Sequence, residues 1–255
     1  MSQNIDLVYL LQPIVTILFS VGLVVYWYFR RVFRRAILGY SLLAYVGAIA
    51  VKVVLQALTY SPFQARFGNN PSALGVYFGA QTVFFEVGGA FLVAAWASSR
   101  GRLEAKDAES YGLSLALWEN AGYLGVLGLV NFVGVYVVLA IGGPTSQQVL
   151  SSLITTRPEL FYAPLQALPL IGYGILERVS SLLFHFSWGY LCVLAACHHK
   201  KSYFLVALPM GLVDFFVPFA GSLTLPVFEW GIFVLGLGAL AVALLLSRSA
   251  RQSHT

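Results

Sequence analysis

Glu86, Glu119, His185 and Asp214 each lie well inside a different long apolar segment of the chain. Three carboxylates and an imidazole are the inventory of metal-assisted hydrolysis. Carboxylate oxygens and a neutral imidazole nitrogen ligate a divalent ion such as zinc. A carboxylate left off the metal takes a proton from the attacking water. The same inventory serves a proton path or a cation-coupled transporter. It also serves plain mutual pairing, an acid against a histidine or arginine, that holds helices together. A charge at the centre of a bilayer costs at least ~2.5–3.5 kcal/mol, so these side chains are expected to face a protein interior or a wet cavity.

Arg178 and His185 are seven residues apart, hence on one face of a helix and about 10 Å apart. Arg178 is therefore placed to hold one of the acids, or a substrate carbonyl. Glu177 and Ser181, four apart, are in reach of a local hydrogen bond.

The elements that carry these residues are membrane spans. The 255 residues are 59% hydrophobic and 10% charged, whereas soluble domains carry about 25% charged residues. Seven apolar segments run at about 7–29, 36–59, 73–98, 111–141, 170–197, 203–222 and 227–247. A helical span needs roughly 20 apolar residues, so the sequence predicts an all-α polytopic bundle of seven transmembrane helices, one integral membrane domain over 1–255. At 1.5 Å per residue the four polar groups lie ~12–20 Å from the cytoplasmic boundary, one shared level.

Orientation follows the basic residues. The loops after the first, third and fifth segments and the C-terminal tail hold Arg30, Arg31, Arg34, Arg35, Arg100, Arg102, Lys106, Lys200, Lys201, Arg248 and Arg251, eleven in all. The other side holds two, Arg66 and Arg157. The N-terminus is expected outside and the C-terminus in the cytoplasm of a multi-pass cell-membrane protein. The net charge of +5 then reflects topology beside anionic lipid, with no nucleic-acid partner implied. The basic cluster follows the first apolar run, the reverse of a secretory signal, so that run is expected to remain as a span. Cys192 and Cys197 are five apart within one segment and read as packing residues, not a metal motif.

Gly142, Gly143, Pro144 and Thr145 break the fourth helix. Ser146 to Ile154 reads as a short amphipathic helix, and Phe161, Tyr162, Pro164, Leu165 and Leu168 as an interfacial or re-entrant piece. Lys52 is expected near the outer end of the second span with its ammonium reaching the interface. Glu229, at the start of the seventh segment, is expected at the interface. Asn120 and Asn131 are suited to bridge helices. Pro209 permits a kink near Asp214.

The order of these motifs resembles that of the YhfC-like intramembrane metalloproteases, distant relatives of the CAAX prenyl endopeptidases. The resemblance rests on Phe85-Glu86, on Tyr111-Gly112-Leu113 leading to Glu119, on Leu176-Glu177-Arg178 with His185, and on Met210-Gly211-Leu212-Val213-Asp214, over about residues 78–216. Val87 stands at the family's second acid, Gly89 at its arginine, and Leu115 and Met210 at two of its histidines. The resemblance implies a peptidase, or a pseudo-peptidase, acting on membrane peptides. Glu86, Glu119, His185 and Asp214 would be its catalytic residues. Glu86 or Glu119 would activate water, His185 with one of those acids would hold the metal, zinc being the expected ion, and Asp214 would orient a ligand or water. A small-solute or ion transporter with a buried carboxylate–histidine site is the competing reading.

Overall fold

The computed structural model describes residues 5–30 and 33–252, with side chains as far as Ser247. Arg31 and His254 lie outside the described residues, as do the side chains of Arg248 and Arg251. The described chain is helical throughout, without a strand. In order the helices are α1 (Leu7–Arg30), α2 (Arg35–Phe67), α3 (Pro71–Ser99), α4 (Ala105–Ile141), α5 (Gly143–Thr156), α6 (Pro164–His198), α7 (Lys201–Ser222) and α8 (Leu225–Ser247). All but α5 are long and apolar enough to cross a bilayer. A helix satisfies its own backbone, which hydrocarbon cannot do. The protein is a multi-pass membrane bundle.

The hub is α6. In its most apolar stretch 78% of residues are buried, and it packs against α1, α3, α4, α7 and α8. Glycines let the hub and its neighbours approach to backbone contact. A Cβ on Gly112 of α4 would lie 2.4 Å from the Phe186 carbonyl oxygen of α6. On α3, a Cβ at Gly75 would lie 2.5 Å from the Phe215 carbonyl oxygen of α7. Small residues do this work between membrane helices, where lipid is as apolar as any side chain.

The ends are set by local chemistry. Asn70 accepts from the Ala73 amide at 3.1 Å, and Pro71 follows as the first residue of α3. Gly142 and Gly143 sit at φ +76° and +86°, a region open to glycine, and they turn α4 into α5. In the first turn of α4 the fully buried Asp107 accepts from the Glu104 amide at 2.8 Å and from Arg34 Nε at 3.0 Å. That hydrogen bond holds the Arg34 pKa above its ordinary value.

The two ends of the segments differ from expectation in two places. Helix α2 continues through Tyr60, Ser61 and Pro62 to Phe67, because a proline in a membrane helix is tolerated when neighbours take up the freed groups. Pro164, Leu165 and Leu168 belong to the first turns of α6, after a short turn at Pro158–Phe161, rather than to a re-entrant piece. The expected amphipathic helix is α5.

Candidate metal centre

Both site carboxylates of the first helices sit where the α-helix is wound wide. Residues Thr82–Val87 of α3, containing Glu86, form a π-helical stretch, and so do Trp118–Gly125 of α4, containing Glu119. Such bulges frequently mark functional sites because the extra residue re-aims side chains. Trp118 anchors the second one: its indole Nε1 donates to the Leu38 carbonyl at 3.1 Å and to Ser41 Oγ at 3.0 Å of α2. At Leu208, one residue before Pro209, α7 tightens into a 3₁₀ stretch, Leu208–Ser222, that carries Asp214. The helix type thus changes beside Pro209, where the sequence permits a kink.

These stretches surround a cavity of about 210 Å³, wide enough for several waters. Glu86, Glu119, His185, Asp214 and Arg178 all line it. His185 Nε2 lies 2.7 Å from Glu119 Oε2 and 3.2 Å from Glu86 Oε2. One ligand atom from each of the three residues lies within 4.8 Å of the others. Two ligands of one zinc ion are at most ~4.4 Å apart, twice a bond of ~2.2 Å. The set is therefore close to the size an ion needs.

The surrounding contacts sort the atoms. His185 Nδ1 is 2.9 Å from the Ser181 carbonyl oxygen. A carbonyl only accepts, so Nδ1 carries the hydrogen and Nε2 points its remaining valence at the carboxylates. Glu86 Oε1 pairs with Lys52, and Glu119 Oε1 faces Ser181 Oγ at 3.3 Å and Arg178 Nη1 at 3.7 Å. Each acid thus has one oxygen held by a donor and the other turned toward Nε2. Three acceptor atoms converging on one point require something positive between them: a proton on Nε2, or a cation. This donor set suits a divalent ion.

Asp214 stands one step away. Its Oδ2 accepts from Thr82 and lies 3.5 Å from Lys52 Nζ. Lys52 also donates to Thr82 Oγ1 at 3.0 Å, so it bridges Glu86 and Asp214. This corrects the expectation that Lys52 reaches the interface. The extra turns of α2 leave it 17 residues from Arg35 and 15 from Phe67, mid-helix rather than near an end. Glu229 also departs from expectation: it is 6% exposed and lines the cavity. Ser181 bonds Glu119 and His185, while Glu177 pairs with Arg178. The buried Asn120 side chain, expected to bridge helices, has no hydrogen-bond partner among the described residues.

A family model described as YhfC intramembrane metalloprotease matches residues 15–219. The chain belongs to that family. No curated protein and no solved structure matches it. Membership in the YhfC family implies a divalent metal, and Glu86, Glu119 and His185 provide a possible place for one. Leu115 and Met210, at the positions the sequence comparison assigned to histidines, are buried in the main apolar core, and neither lines the cavity. In this YhfC member the imidazole of the cluster comes from α6.

Proposed function

We propose that the protein is an intramembrane metallopeptidase with a rearranged ligand set. The carrying observation is the convergence of His185 Nε2 with one carboxylate oxygen each of Glu86 and Glu119. Those three atoms would hold a divalent ion, zinc being the expected one, which when bound polarises a carbonyl and eases deprotonation of water. Ser181 fixes the His185 ring through its carbonyl. Lys52 and Arg178 hold the outer oxygens of Glu86 and Glu119 and offset part of the site's negative charge.

Asp214 is the acid left to work on water. With Oδ2 tied to Thr82 and Lys52, we assign Oδ1 to take the proton as water oxygen attacks the peptide carbonyl carbon. The same proton then passes to the departing amine nitrogen as the C–N bond breaks. The cavity keeps this chemistry out of lipid, and Arg178 at its edge is the residue we assign to a substrate carbonyl. The substrate class that fits is a peptide segment at membrane depth. The eleven-to-two distribution of basic residues supports an outer N-terminus and a cytoplasmic C-terminus.

The test is metal analysis of protein purified in detergent and reloaded with zinc. One tightly held ion per chain is expected, with affinity reduced at least about a hundredfold in His185→Ala and Glu119→Gln. Equal zinc binding by wild type and both variants would remove the metal centre and favour a charge-paired structural or transport site.

A further inference from the structure

A second chamber of about 480 Å³ lies between α1, α4, α5 and α6. It abuts the metal-centre cavity at Leu124, Glu177 and Arg178, which line both. Its size falls in the range of small-molecule pockets.

The walls are richer in donors than in acceptors. Among the described residues they carry two guanidiniums, Arg157 and Arg178, against one carboxylate, Glu177. Glu177 is already paired with Arg178. Among the described residues Thr16 Oγ1 is buried without a hydrogen-bond partner, and the buried Arg178 Nη1 also makes no hydrogen bond, its one ion-pair contact being Glu119 Oε1 at 3.7 Å. Buried polar atoms that make no hydrogen bond are uncommon and costly, so two of them on one chamber call for a ligand. Gln12 adds an amide to the same wall. Its side chain fits because residue 174 is glycine: a Cβ there would lie 2.4 Å from Gln12 Nε2. At the rim, Arg157 is 63% exposed, and its Nε donates to Glu159 at 2.6 Å. The arrangement runs from an exposed guanidinium to a deep one.

We infer that this chamber is an oxyanion-binding site, taking a carboxylate or phosphate on Arg178, Arg157 and Thr16. Oxyanions accept several hydrogen bonds at once, and guanidinium is the donor that matches them best. Two sources offer this chemistry beside a bilayer: the carboxylate end of a peptide and the phosphate of a lipid headgroup. Arg178 also meets Glu119, so the site is tested without any metal and through Thr16 and Arg157, which do not touch the Glu86–Glu119–His185 cluster.

Full-length protein in maltoside detergent and EDTA is titrated with octanoyl-glycine, octyl phosphate and, as the neutral control, octanoyl-glycinamide. At least one anion should bind about tenfold tighter than the amide. That preference should fall several-fold in Thr16→Val or Arg157→Ala, with the amide unaffected. Preference for octanoyl-glycine assigns the site to a peptide carboxylate, and preference for octyl phosphate assigns it to a headgroup. Equal binding of all three probes, or an anion preference that survives both substitutions, overturns the inference. The wild-type comparison and the exposed Arg157 variant decide the matter even if Thr16→Val does not fold.

Discussion

Lys52 shows how much one buried side chain does in this cluster. It is 13% exposed and meets Glu86, Thr82 and Asp214. Breaking a buried pair by removing one partner costs about 3–5 kcal/mol, because the other charge is left uncompensated. Lys52→Met, similar in volume, should lower stability by about that amount in denaturant unfolding in detergent. Glu86→Gln added to it should cost less than the two single changes together, by at least about 1 kcal/mol. A Lys52→Met protein within about 0.5 kcal/mol of wild type would show that the ammonium does not belong to the cluster. A second expectation concerns His185. Its Nε2 and two carboxylate oxygens need a shared proton when no cation is present, so loading zinc should release close to one proton per ion near neutral pH. Calorimetry in two buffers of different ionisation enthalpy measures it, and zero release would contradict the shared proton. Glu86, Glu119, His185 and Asp214 were legible in the sequence because charge at membrane depth is rare. Lys52 and Glu229 were not: each was judged from an apolar run, and the helices extend beyond the runs.

At the scale of elements, the centre depends on α4 and α6 touching. Gly112 lies two helical turns before Glu119, and the Phe186 backbone it contacts adjoins His185. Gly112→Ala would drive a methyl into the Phe186 carbonyl, which cannot swing away as a side chain would. Overpacking of this kind costs about 1–3 kcal/mol, and the separation it forces falls directly between two proposed metal ligands. Zinc affinity should drop along with stability. Gly134→Ala on the same helix is the control, since nothing lies within 4 Å of a Cβ there; it should leave both unchanged or slightly raise stability. If Gly112→Ala matches the control in zinc affinity, contact between α4 and α6 does not position the ligands. Apolar length sufficed to read all seven spans. The π-helical stretches at Thr82–Val87 and Trp118–Gly125 were not legible, because one extra residue in a turn leaves composition and length unchanged. Contacts with neighbouring helices accompany them, such as that of Trp118 with Leu38 and Ser41 of α2.

For the whole molecule, the bilayer and the basic residues act together. Lys and Arg hold back from translocation, so the end of the bundle bearing Arg34, Arg100, Arg102 and Lys200 is expected to stay in the cytoplasm. The second chamber and α5 then open toward the outside, with Arg157 at the rim. Ser151 on α5 and Ser99 at the end of α3 are both exposed and lie at opposite ends of the bundle. With Cys192 and Cys197 first replaced by alanine, Ser151→Cys in intact cells should react with a membrane-impermeant maleimide. Ser99→Cys should react only after permeabilisation. The opposite pattern would invert the bundle and turn the second chamber toward the cytoplasm. It would leave the depth of Glu86, Glu119 and His185 untouched, because they meet near the middle of their spans, where orientation does not enter.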